Sequence, residues 1–153
     1  MPQSANPPLA VLFACGLNSI RSPMAAALFA HLFGRAIYVR SVGARKGEPD
    51  PFAIAVMAEI GLDISRHKPT TFEELDEWEG LNFDLIVTLS PEAHHRALEL
   101  TRVSGIDVEY WPTADPSVVE GSREQRLDAY RDLRDKLLSQ IRQRFVPTSA
   151  GNE

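Results

Sequence analysis

The chain has a single cysteine, Cys15, and an arginine six positions on, Arg21, within the stretch VLFACGLNSIRSP (11–23). A lone thiol is usually an inert core residue, so its surroundings must decide whether it does chemistry. Here an apolar run delivers Cys15, a short loop turns, and Ser22-Pro23 reads as a helix N-cap followed by proline at the first helical position. Backbone N–H groups and the positive end of a helix then converge on one concavity, which suits an anion. A cysteine placed there is expected to react as a thiolate. Arg21 can fork two hydrogen bonds onto a tetrahedral oxyanion, with a geometry that lysine lacks. The expected anion-binding loop is Gly16, Leu17, Asn18, Ser19, Ile20, Arg21 and Ser22. Ser22 could also donate its hydroxyl to the thiolate and improve it as a leaving group.

Other polar groups give weaker signals. Asp115, in the segment ADPS, has the form of a turn aspartate. His67 alone reads as a structural histidine. The pair His94-His95 fits a solvated helix face, and no third ligand stands at suitable spacing, so no metal site is expected.

The elements that must position these groups alternate between apolar runs and helical periodicity. LAVLFA (9–14) lacks the alternation of a half-exposed strand and reads as a buried one. AIYVRSV, FDLIVTL and IDVEYW supply three more strands. Helices are expected from Ser22 to about Phe33, over DPFAIAVMAEIG with Gly61 as its stop, near Thr71–Trp78, over PEAHHRALELT, and over 123–145. In the last, Leu127, Tyr130, Leu133, Leu137, Ile141 and Phe145 fall on one face. Strands alternating with helices imply a parallel sheet in a three-layer α/β/α domain. Ligands in such sheets bind beyond the carboxyl ends of the strands, which is where Cys15 lies.

Composition sets bounds. The 153 residues suit one domain, expected over 9–146 between flexible tails at 1–8 and 147–153. A net charge of −5 gives no basic surface for nucleic acid or an anionic membrane. The most apolar segment, MAAALFAHLF, is shorter than the ~20 residues of a membrane span. The first eight residues carry no signal-peptide pattern, so a cytoplasmic protein is expected. A single cysteine excludes an intramolecular disulfide.

The segment 11–29 resembles the low-molecular-weight protein tyrosine phosphatases and the thioredoxin-coupled arsenate reductases. Their motif, Cys-x-Gly-Asn-x-x-Arg-Ser-Pro, stands here as CGLNSIRSP (15–23). SVGA (41–44), GLDISRHKP (61–69) and ADP (114–116) extend the likeness over nearly the whole chain. The resemblance implies a four-stranded parallel sheet of order 2-1-3-4, no cofactor, and a phosphocysteine intermediate. It assigns Cys15 as nucleophile, Arg21 as phosphate clamp and Asp115 as general acid. Asn18 would prop the loop open, supported by Ser41 and His67. The substrate would be a phosphate or other oxyanion, carried by a phosphotyrosine protein or a small aryl phosphate.

Departures from the pattern bear on function. Leu17 replaces the motif glycine, which raises the expectation of a strained or differently wound loop. Ile20 stands where many phosphatases have a second loop cysteine. Ser117 replaces the aromatic residue after Asp-Pro that walls the phosphotyrosine slot in many eukaryotic members. Three functions compete on this footing. A phosphomonoester hydrolase leads, because thiol, arginine and acid are all kept. An arsenate reductase would need an external thiol, since Ser90 stands near the place of the reductases' second cysteine. A non-catalytic phosphate binder would need neither thiol nor acid.

Overall fold

In the computed structural model, described over residues 8–145, the chain forms β1 (Ala10–Cys15), α1 (Arg21–Phe33), β2 (Tyr38–Gly43), α2 (Pro51–Ala58), α3 (Phe72–Glu79), β3 (Leu85–Thr88), α4 (Pro91–Leu100), β4 (Asp107–Tyr110) and α5 (Arg123–Arg144). One turn of 3-10 helix, Pro116–Val118, precedes α5. The four strands are parallel in the order β2-β1-β3-β4, as the resemblance implied. Apart from Pro8, the two expected tails lie outside the described residues.

β1 is central because nothing in it tolerates water: Val11 to Ala14 are fully buried. Side chains alternate across a strand, so β1 supplies both layers. Val11, Phe13 and Cys15 face the core built with α1, α2 and α5, while Leu12 and Ala14 face the core built with α3 and α4. Phe29 packs edge-on against both Phe13 and Phe145, with ring centroids 5.7 and 5.0 Å apart. All six apolar residues expected on one face of the last helix are buried.

The α1 start differs from expectation. Helical structure begins at Arg21, Ile20 occupies the N-cap, and no side chain caps it. Ser22 therefore lies inside the first turn, with its hydroxyl turned toward Cys15 rather than toward a backbone amide. True side-chain caps stand elsewhere: Asp50 on α2, Thr71 on α3, Ser90 on α4 and Ser122 on α5. His94 departs too. It is partly buried, its Nδ1 lies 2.9 Å from Thr88 Oγ1, and its ring stacks on Tyr110 at 4.5 Å. His95 is the solvated one. Among the described residues no helix is long and apolar enough to cross a membrane.

Candidate active site

β1 ends at Cys15, and the chain turns through residues 16–20 before α1 begins. The loop is pinned from outside by its carbonyls. Those of Cys15, Gly16 and Leu17 accept hydrogen bonds from the amides of Ala44, Arg45 and Gly47 at 2.8–3.0 Å. No described residue accepts from the amides of Leu17, Asn18, Ser19, Ile20 or Arg21. Free donors at the start of a helix form a nest for an anion.

Asn18 organises the loop. Its φ of +57° is left-handed, a conformation asparagine tolerates better than most side chains. Its Oδ1 accepts from the Thr70 amide at 2.8 Å. That bond settles the side-chain orientation, because an amide N–H can only donate. Nδ2 then donates to Ser22 Oγ at 2.8 Å and to Ser41 Oγ at 3.0 Å. The Asn18 carbonyl accepts from His67 Nε2 at 2.9 Å. Burial lowers the His67 pKa, and the neutral ring keeps its proton on Nε2 to make this bond. Leu17 carries no left-handed φ, so the expected strain at that position is absent. The left-handed turn falls on Asn18 instead, and Leu17 is partly exposed.

The thiol has one neighbouring hydroxyl. Ser22 Oγ is 2.9 Å from Cys15 Sγ, and the Ser22 amide is 3.4 Å from it. Since Ser22 Oγ already accepts from Asn18, its proton goes to Cys15 Sγ or to the Val42 carbonyl at 3.2 Å. A thiolate draws the proton to sulfur, and a neutral thiol releases it to the carbonyl.

Asp115 reaches the same cleft from the far edge of the sheet. Beyond β4, the amides of Trp111 and Thr113 donate to the carbonyls of Thr88 and Leu89, extending the strand pairing toward the loop. Trp111 packs on Phe13 at 6.1 Å. Arg21 ties the two segments together by donating from Nη1 to the Thr113 carbonyl at 2.7 Å. Ser117 then fixes one carboxylate oxygen: its amide and hydroxyl donate to Asp115 Oδ1 at 2.9 and 2.7 Å. Oδ2 is left to act. Beside Asp115, Tyr130 donates to Asp50 at 3.0 Å. Burial, Asp50 and Asp115 together push the Tyr130 phenol up.

These groups open onto a cleft of about 400 Å³ lined by Cys15, Arg21, Asp115 and Ser117, with Arg45 and Glu92 at its rim. Among the described residues no aromatic side chain lines it. Every residue expected at the site is in or directly behind this cleft. Reading the sequence missed Thr70, Thr113, Arg45 and Glu92. The first two act through backbone atoms and leave no residue-type signal. The other two look like ordinary surface charges until the fold joins them.

A thiol and a loop of free amides at the carboxyl end of a parallel strand, sharing a cleft with a carboxylate, define an enzyme site for tetrahedral oxyanions. The chain belongs to the family described as low molecular weight phosphotyrosine protein phosphatase, whose profile matches residues 10–148. It is 30% identical to an arsenate reductase of Shouchella clausii over 138 residues, covering 90% of this chain and 95% of that one. Among solved structures it is similar to an arsenate reductase in its phosphate-binding state, with 26% identity, a TM-score of 0.68, and 89% and 95% of the two chains covered. An arginine phosphatase from Geobacillus stearothermophilus is similar at 26% identity and a TM-score of 0.65, covering 88% of each chain.

Proposed function

We propose that the protein is a cysteine-dependent phosphomonoester hydrolase that acts through a phosphocysteine intermediate. The observation that carries this reading is the meeting of Cys15, the unpaired amides of residues 17–21 and Asp115 in one cleft. The Cys15 thiolate attacks phosphorus in line with the leaving oxygen, forming the S–P bond as the P–O bond breaks. The loop amides and the free N–H groups of Arg21 hold the equatorial oxygens. Asp115 gives its proton to the leaving oxygen through Oδ2. It then takes a proton from water, which attacks phosphorus and returns the thiolate, with Ser22 donating to the departing sulfur. The positive charge this needs comes from the loop itself. A protein whose working group is a free thiol suits a reducing compartment, which supports a cytoplasmic location.

Arsenate reduction is the second reading, favoured by the names of the curated relatives. The chain has one cysteine, and Ser90 both lines the cleft and caps α4. Turnover would therefore need an external thiol. That thiol would attack the sulfur of the Cys15–arsenate adduct, release arsenite and leave a mixed disulfide, which a second thiol would reduce.

Paired assays separate the readings: aryl-phosphate hydrolysis in the presence of a chelator, and thiol-dependent arsenate reduction, each with wild type and Cys15→Ser. The hydrolase reading expects chelator-resistant hydrolysis that Cys15→Ser abolishes while phosphate binding survives. Hydrolysis retained by Cys15→Ser overturns it.

A further inference from the structure

An ion pair also lines the cleft. Arg45 Nε and Nη2 donate to Glu92 Oε2 and Oε1 at 2.7 and 3.0 Å, a two-point fork. Both partners are held from behind. The Arg45 amide donates to the Gly16 carbonyl at 2.8 Å, so its backbone is attached to the loop that carries the thiol. Glu92 stands in the first turn of α4, where the helix end favours a carboxylate, and the hydrogen bond from Arg45 lowers its pKa further. A Cβ added at Gly16 would lie 3.4 Å from Glu92 Oε1, so the pair rests against the loop itself.

The unused capacity of this pair lies on the cation. Both Glu92 oxygens are engaged, whereas Arg45 Nη1 has no acceptor among the described residues. The neighbouring cation, Lys46, is already bound to Glu74 at 2.6 Å. A group entering the cleft beside the phosphoryl group therefore meets a guanidinium with N–H donors to spare and no aromatic face to stack on.

We propose that Arg45 is a specificity residue that binds a carboxylate carried by the substrate beside its phosphoryl group, so the cleft selects anionic phosphomonoesters over neutral aryl ones. This deepens the hydrolase reading and rests on it. A monoanionic carboxylate suits the position better than a second phosphate dianion, because the Glu92 charge shares the same guanidinium.

The test uses 3- and 4-carboxyphenyl phosphate against the matching carboxamides, which have a similar shape and no charge. The readout is the ratio of kcat/KM for carboxylate over carboxamide, so changes in basal rate cancel between substrates. Because the side chains are about half exposed, the ratio should fall about fivefold in Arg45→Gln. It should be partly kept in Arg45→Lys, which retains charge without the fork, and should rise in Glu92→Gln, which frees the guanidinium. A ratio in Arg45→Gln equal to that of wild type overturns the assignment while leaving the hydrolase intact. Failure of the wild type to hydrolyse even phenyl phosphate overturns the hydrolase reading, and this assignment with it.

Discussion

Ser22 Oγ lies 2.9 Å from Cys15 Sγ while accepting a hydrogen bond from Asn18 Nδ2, so the serine has one proton to give and the sulfur is the nearest atom to take it. The same hydroxyl that would stabilise the resting nucleophile would stabilise the sulfur as it leaves phosphorus. Ser22→Ala should therefore slow breakdown of the phosphocysteine more than its formation. Loss of one hydrogen bond to a charged group predicts a fall in kcat of about 10- to 100-fold. Rapid-mixing kinetics with a nitrophenyl ester should then show a burst of nitrophenol followed by a slow steady state. A uniform fall with no burst would remove Ser22 from the breakdown step.

Asn18 combines a left-handed backbone with three buried side-chain hydrogen bonds. Asn18→Ala should cost about 2–4 kcal/mol in urea denaturation, from unpaired buried partners and from the left-handed residue. Asn18→Gly keeps the turn and should be less destabilising by about 1 kcal/mol. Both should lose activity, because the loop amides lose their brace. If the glycine variant is the less stable of the two, the backbone account is wrong.

Asp115 should matter in proportion to how badly the leaving group needs a proton. In single-turnover phosphorylation of Cys15, Asp115→Asn should lose ~10²–10⁴-fold on phenyl phosphate. Nitrophenyl phosphate, whose leaving group barely needs protonation, should lose much less. Equal losses on the two esters would show that Asp115 is not the acid.

At the end of α2, Glu59 predicts an acid limb in stability. Arg131 and Arg134 donate to its carboxylate and lower its pKa from 4.5 to about 2. The folded state then binds its proton later than the unfolded one. The stabilisation is fully present above pH 4.5 and is lost as the pH falls through about 2. Thermal denaturation between pH 5 and 2 should show a smaller decline in Glu59→Gln than in wild type. Salt should shrink the difference, because the Glu59 carboxylate stays partly open to solvent. Parallel declines would mean that other carboxylates carry the acid limb.

Much of this protein was legible in local pattern. The unbroken apolar run before Cys15 requires a buried central strand, and the spacing from Leu127 to Phe145 requires one helix packed on the sheet. Both follow from side-chain periodicity, which neighbours along the chain carry by themselves. Cysteine, short loop and arginine at the carboxyl end of that strand marked the site for the same reason.

Tertiary structure decided what lies between segments distant in sequence. The Asn18 side chain is satisfied by Ser41 and Thr70, and Arg21 by the Thr113 carbonyl, across separations of 23 to 92 residues. Strand register brings them together, and one residue of slip would scatter them. Ser22 was expected to cap α1, because serine before proline does so in an isolated helix. It lies inside the helix because Cys15, Asn18 and Val42 engage its hydroxyl from other parts of the fold. His94 left the solvated face because Tyr110, from a neighbouring strand, offered its ring a surface. Arg45 and Glu92, 47 residues apart, became one rim only when α4 packed beside the loop. Local sequence determined the strand, the helices and the position of the thiol. Long-range hydrogen bonding decided which polar groups reach it, because such bonds depend on packed geometry that residue type alone does not encode.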